Sequence, residues 1–213
     1  MRRIRILLAD DHALVSTAFQ RLLEPKYEVV GSVVDGRALL KAADELKPDM
    51  VLLDIAMPLL NGLDAGRELK KAMPQVKLIY LTMNASSPLA EEAMRAGASG
   101  YVLKNAESSD LLQAIENAAR GLTFVSAEMR SAMEKTFVRD PNAAKRSRQL
   151  TSRQLEVLQM LAEGRALKEI ADMLQISYRT VRFHKFRIME ELEITTNSEL
   201  VQYAIKHGII SCA

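Results

Sequence analysis

The run Val51-Leu52-Leu53-Asp54-Ile55-Ala56-Met57-Pro58 constrains this chain more than any other stretch. An unbroken apolar start fits a strand buried on both faces. It delivers one carboxylate, Asp54, to its carboxyl end, and Pro58 stops the chain from pairing further. In an open parallel α/β sheet, that end is where ligands bind. A lone carboxylate there is costly to desolvate unless something pairs with it, so the rest of the chain has to supply partners.

The front half supplies them at regular intervals. Apolar strand patterns cover 4–9, 28–33, 50–54, 77–82 and 101–104. Helical spacing follows each one: from Ala13 to Leu23 before Pro25, then 37–46, 63–73, 89–96 and 109–120. This alternation predicts a doubly wound, five-stranded parallel α/β sheet with right-handed crossovers. Asp10 and Asp11, Asp54, Thr82 and Lys104 then all fall at carboxyl ends of strands, on one edge of the sheet. Clustered carboxylates repel one another unless a cation is present, and Mg²⁺ suits oxygen ligands that leave room for water and phosphate. Asp54 is also a possible nucleophile for an aspartyl-phosphate. Lys104 can neutralise a phosphoryl oxygen, and Thr82 can hydrogen-bond another. Taken singly, these residues have plainer uses: Asp10-Asp11 as helix caps, Thr82 as a β-branched strand residue, Lys104 as a solvated charge. Four such features at four strand ends make the plainer account the poorer one.

Composition adds exclusions. The chain has one cysteine, Cys212, so neither an intrachain disulfide nor a cysteine metal cluster is available. The apolar run after Arg2 and Arg3 is too short for a signal peptide and ends in acids. No run is long enough to span a bilayer, and a cytoplasmic location without membrane contact is expected. Net charge is only +2, which does not announce a nucleic-acid partner, but its distribution is uneven. Residues 1–125 carry 15 basic and 16 acidic groups, 126–149 carry 6 and 3, and 150–213 carry 8 of each. The middle segment, with Asp140-Pro141-Asn142 as a turn signal and a possible helix over 127–137, reads as a linker.

After it, Leu150-Thr151-Ser152-Arg153-Gln154-Leu155 has the pattern of a capping box with a hydrophobic staple. A helix to Gly164, a short helix over 167–174, a tight turn at Gln175-Ile176-Ser177 and a third helix over 178–192 make a helix-turn-helix plan. On the third helix Val181, His184, Ile188 and Leu192 form the apolar stripe. Arg179, Arg182, Lys185 and Arg187 lie between Tyr178 and Met189 with no acid among them. Arg182 and Phe183 are candidates for base readout, and Arg179, Lys185 and Arg187 for phosphate contact. A solvated helix face is the plainer reading of the charges, and Phe183 and Phe186 sit awkwardly with it.

Residues 4–121 resemble the receiver domain of two-component response regulators. The matching pieces are Asp10-Asp11, Asp54 to Pro58 with Asn61-Gly62, Leu81-Thr82, and Ala96 to Lys104. The resemblance implies a flavodoxin-like domain over 1–125 in which Asp54 accepts a phosphoryl group from a sensor histidine kinase. It implies Mg²⁺ held by Asp11, Asp54 and the Ala56 backbone carbonyl, with Asp10 acting through water. Thr82 and Tyr101 look like the family's switch pair, in which the ring moves inward. Residues 150–210 resemble the LuxR-type helix-turn-helix through Leu150-Thr151, Glu156-Val157-Leu158, Lys168 to Ala171, Ser177, Thr180-Val181, His184-Lys185 and Glu199 to Val201. The combination resembles the NarL/FixJ type of response regulator. It implies a small all-α DNA-binding domain over 150–213, a 126–149 linker, and a homodimer on double-stranded DNA when phosphorylated. The DNA-facing residues implied are Arg179, Thr180, Arg182, Phe183, Lys185, Phe186 and Arg187. Two positions depart from the pattern: Glu191 replaces a common basic residue, and Glu193 a common glycine. An enzymatic role beyond self-catalysed phosphotransfer to Asp54 and hydrolysis from it is not expected, because a phosphatase would want a second carboxylate where Ala56 stands. The remaining alternative is a DNA-binding regulator whose receiver works through protein contacts alone, without phosphate.

Overall fold

The computed structural model describes residues 2–83, 87–126, 129–130, 150, 152–207 and 209–210. Cys212, Thr151, most of 127–137 and the connector with Asp140-Pro141-Asn142 lie outside the described residues.

The first unit alternates β1 (Arg5–Ala9), α1 (Ala13–Leu23), β2 (Glu28–Val33), α2 (Gly36–Leu46), β3 (Met50–Asp54), α3 (Gly62–Ala72), β4 (Lys77–Thr82), α4 (Ser87–Arg95), β5 (Gly100–Leu103) and α5 (Ser108–Ala119). With a short β6 (Phe124–Val125), all strand pairs are parallel, in the order β2-β1-β3-β4-β5-β6. Successive residues of one strand feed opposite faces. Leu7 and Ala9 join Leu39, Leu63, Leu69 and Ala90 under α2, α3 and α4, while Ile6 and Leu8 join Leu23, Leu111 and Ile115 under α1 and α5. This two-sided burial explains why β3 is apolar without alternation. Helix starts follow capping rules: Asp35 accepts from Ala38 N at 2.7 Å, and Asn61 from Asp64 N at 3.0 Å.

The expected count of five strands needs correction. A sixth strand, β6 (Phe124–Val125), pairs with β5 through Gly100↔Phe124 and Tyr101↔Val125. Two residues are too few to show a period, so the pattern gave no sign of it. Gly121, at φ 77°, turns the chain out of α5, and the pairing covers what would otherwise be an open sheet edge.

The second unit holds α6 (Ser152–Ala162), α7 (Leu167–Leu174), α8 (Tyr178–Glu191) and α9 (Asn197–Lys206). Leu155, Leu158, Ile170, Leu174, Val181, Ile188, Leu200 and Ala204 form its core. Gln175 takes the left-handed conformation (φ 51°) in the tight turn between α7 and α8. The Ser177 hydroxyl then caps α8 by accepting from Thr180 N at 3.1 Å. Gln154, expected to close a capping box, donates to Glu191 Oε2 at 2.9 Å and ties α6 to α8.

Candidate functional site: an acidic sheet edge and a basic helix face

The chain leaves β1 toward β2 and returns to β3 on the other side, so the order reverses between β1 and β3. Crevices at such a reversal are where open α/β sheets bind ligands. Asp10 follows β1 and Asp54 ends β3, at 3% and 2% exposure. Lys104, just beyond β5, places Nζ 2.7 Å from Asp10 Oδ2 and 2.8 Å from Asp54 Oδ2. One buried ammonium thus bridges two buried carboxylates. Burial pushes the Asp54 carboxyl above its usual range. Lys104 pulls it back, the Asp10 charge raises it, and the Ala56 N–H, 3.3 Å from Oδ1, lowers it slightly. The site therefore holds one cation too few for its carboxylates.

Asp11 is more open. His12, which the sequence reading passed over, brings Nδ1 to 2.8 Å from Asp11 Oδ1 and 3.2 Å from Asp10 Oδ1. Its adjacency to the acid pair was the available signal. Donor atoms of Asp10, Asp11, His12 and Asp54 all lie within 4.8 Å of one another. A hard oxygen set with surplus negative charge fits Mg²⁺, and Ala56 lines the same crevice. Thr82 and Tyr101 are also together. The Thr82 side chain hydrogen-bonds the Tyr101 phenol, whose ionisation burial suppresses. Tyr101 is fully buried, so the ring expected to move inward is already inside. Asn84, two residues beyond Thr82, lies outside the described residues.

The Asn61-Gly62 pair has a steric reason. A Cβ at Gly62 would stand 1.9 Å from the Asp54 carbonyl oxygen. The start of α3 can approach the end of β3 this closely only with glycine there.

No sequence signal pointed to the contact between the two units. Gln159 of α6 donates to the carbonyl of Met57, three residues beyond Asp54. Arg37 lies 3.7 Å from Glu156. Glu163 shares a crevice with Asp11, His12 and Met57. Its carboxyl is raised, first by burial, with a hydrogen bond from Gln159 and a backbone N–H at Leu59 opposing.

On α8, Val181 and Ile188 are fully buried, and Arg179, Arg182, Phe183, Phe186 and Arg187 are exposed. Lys185 is half-buried. Thr180 is half-buried, with Oγ1 2.8 Å from the Ser177 hydroxyl. Arg187 is held by Glu190 at 2.6 Å and Glu191 at 3.4 Å. His184 is half-buried on the inner side, and burial lowers its pKa.

Comparison with known proteins agrees with both halves. The response regulator receiver domain matches residues 6–116, and the bacterial regulatory proteins of the luxR family match 148–204. The response regulator GacA of Pseudomonas aeruginosa is 34% identical over 212 residues, covering 99% of each chain. RcsB from Salmonella enterica serovar Typhimurium, solved bound to a promoter with the phosphomimetic BeF3-, superposes with a TM-score of 0.67 at 26% identity, covering 95% of this chain and 98% of that one. A structure of two RcsB dimers on two parallel DNAs superposes at 0.60, again at 26% identity, with the same coverage. Among the described residues no helix is long and apolar enough to cross a membrane.

Proposed function

Because the chain belongs to the transcription-regulating response regulators that join a receiver to a LuxR-type domain, we propose that phosphorylation of Asp54 controls its binding to DNA. The observation that carries this reading is the bridge from Lys104 to Asp54 and Asp10. It positions a buried nucleophile beside a cation that a phosphoryl group would compete for. Asp10, Asp11, Asp54 and the Ala56 carbonyl would hold Mg²⁺, which when bound offsets the negative charge of the incoming phosphoryl group. A sensor histidine kinase is the donor this reading requires. Phosphorylation adds roughly −1.5 to −2 charge and new acceptor oxygens, to which Lys104 and the Thr82 hydroxyl can turn. Thr82 would release its bond to Tyr101 in doing so.

The signal has a short route onward. The β3–α3 loop that follows Asp54 carries Met57, whose carbonyl accepts from Gln159 of α6. A shift of that loop bears directly on the second unit. In our reading residues 1–125 act as receiver, 126–149 as linker and 150–213 as the DNA-binding part, working in the cytoplasm as a homodimer on double-stranded DNA. On α8, Arg182, Phe183 and Phe186 face base edges, Arg179, Lys185 and Arg187 face phosphates, and Thr180 seats the helix start.

The test is DNA retention by the full chain with and without acetyl phosphate and Mg²⁺, beside Asp54→Ala. Tighter binding and dimer formation are expected only for the wild-type chain with donor. Equal binding by both proteins in all conditions would overturn phosphorylation control and leave a regulator whose receiver works through protein contacts.

A further inference from the structure

The outer side of α8 carries two large apolar side chains in water: Phe183 is 60% exposed and Phe186 64%. They stand three residues apart. Val181 and Ile188, both fully buried, fix which side of the helix faces the core. At about 100° per residue, Arg179, Arg182, Phe183 and Phe186 fall on the opposite side. Leu167 and the half-exposed Tyr178 complete a shallow groove beside them. Exposed apolar clusters of this kind mark interaction surfaces. The cations around this one, with no acid between Tyr178 and Met189, suit a polyanion better than an acid-bearing or neutral apolar partner.

A phenyl ring offers no hydrogen bond to a base edge. In the major groove the apolar feature among the four bases is the C5 methyl group of thymine. Resting on the DNA-binding reading above, we propose that Phe183 and Phe186 read thymine methyl groups, so that each preferred half-site carries two closely spaced thymines. A three-residue step along a helix rises about 4.5 Å, and one base step along a strand about 3.4 Å. The two thymines therefore lie within about two base steps of each other. The arginines beside the rings supply phosphate and guanine contacts, and the rings supply the discrimination among the remaining positions.

The test begins with selection of duplexes from a random pool by the full chain with acetyl phosphate and Mg²⁺. Each half-site thymine of the best duplex is then replaced by deoxyuridine, which differs only by lacking the methyl group. Wild-type binding should weaken about fourfold per methyl removed, the worth of one buried methyl. Phe183→Ala and Phe186→Ala should each bind the thymine duplex more weakly by at least that factor, and each should become indifferent to one of the two uracil substitutions. Phe186→Leu, which keeps an apolar contact, should retain most of the discrimination. Both alanine variants should keep wild-type circular dichroism, because neither residue is in the core. Selected sites without paired thymines, or equal wild-type affinity for thymine and uracil duplexes, would overturn the inference while leaving DNA binding intact. Failure to select any duplex above the random pool would overturn the DNA-binding reading and this inference with it.

Discussion

The acidic sheet edge and the outer face of α8 handle charge in opposite ways. At the edge, Asp10, Asp54 and Lys104 are buried, and the two carboxylates share one ammonium within 2.8 Å. On α8, Arg179 and Arg182 stand in water beside two exposed phenylalanines. A buried charge needs a partner in place before any ligand arrives, because the low dielectric makes an unpaired one costly. An exposed charge defers its main interaction until a partner comes. Substitutions at the edge should therefore be read first in stability, and substitutions on α8 in binding.

The hardest test of that contrast is Lys104→Met. It leaves two buried carboxylates without their cation, and breaking a buried pair this way costs about 3–5 kcal/mol. We expect that loss in urea denaturation at neutral pH in EDTA, with Mg²⁺ restoring part of it. Arg182→Ala, by contrast, should move stability by less than about 0.5 kcal/mol. Similar losses in the two variants would erase the distinction. Next comes Gly62→Ala, whose methyl would meet the Asp54 carbonyl oxygen at 1.9 Å. Relief requires the loop or α3 to move, and overpacking of this sort costs about 1–3 kcal/mol. A fully stable Gly62→Ala chain would show that the end of β3 is not held as tightly as its geometry indicates.

The surplus of negative charge at the edge also sets a pH dependence. The Asp54 carboxyl is raised in the folded chain, so its ionised form is disfavoured by folding. The favourable contribution is complete below the unfolded carboxyl pKa and is lost as pH rises through the raised folded value. Mg²⁺ should consequently raise the melting temperature more at pH 7 than at pH 5. Asp54→Asn should be more stable than wild type at pH 7 without metal, and should bind Mg²⁺ poorly. An equal Mg²⁺ effect at both pH values would mean that Asp54 is not the group whose charge the metal relieves.

The two regions were also unequally legible in the sequence. Asp54 ended an unbroken apolar run that fits a strand buried on both faces, and Asp10, Thr82 and Lys104 stood at the ends of their own runs, so the strand pattern marked these positions together. The α8 face showed only as a local run of cations, a signal that any solvated helix can produce. The contact of Gln159 with Met57 was invisible, since neither residue breaks the pattern of its own helix or loop. Strand β6 was invisible for a different reason: its two residues pair only because Gly121 turns the chain back beside β5.

The departures at Glu191 and Glu193 gain different meanings from the structure. Glu191 accepts hydrogen bonds from Gln154 and Arg187. It joins α6 to α8. Glu193 adopts φ 55°, the left-handed conformation that glycine takes without steric penalty. A non-glycine residue held there costs about 1–3 kcal/mol, while glycine gives back about 0.5–1 kcal/mol through a freer unfolded chain. Glu193→Gly should therefore gain about 1 kcal/mol, a rise of a few degrees in the melting of the C-terminal unit, with the receiver's transition unmoved. Apart from the Arg182→Ala control, this is the smallest effect in the series and the sharpest for the comparison, because it asks whether strain just past α8 is local. A shift in both transitions would show that the units melt together through the α6 contact. A loss of stability would mean that the Glu193 side chain contributes more than its backbone costs.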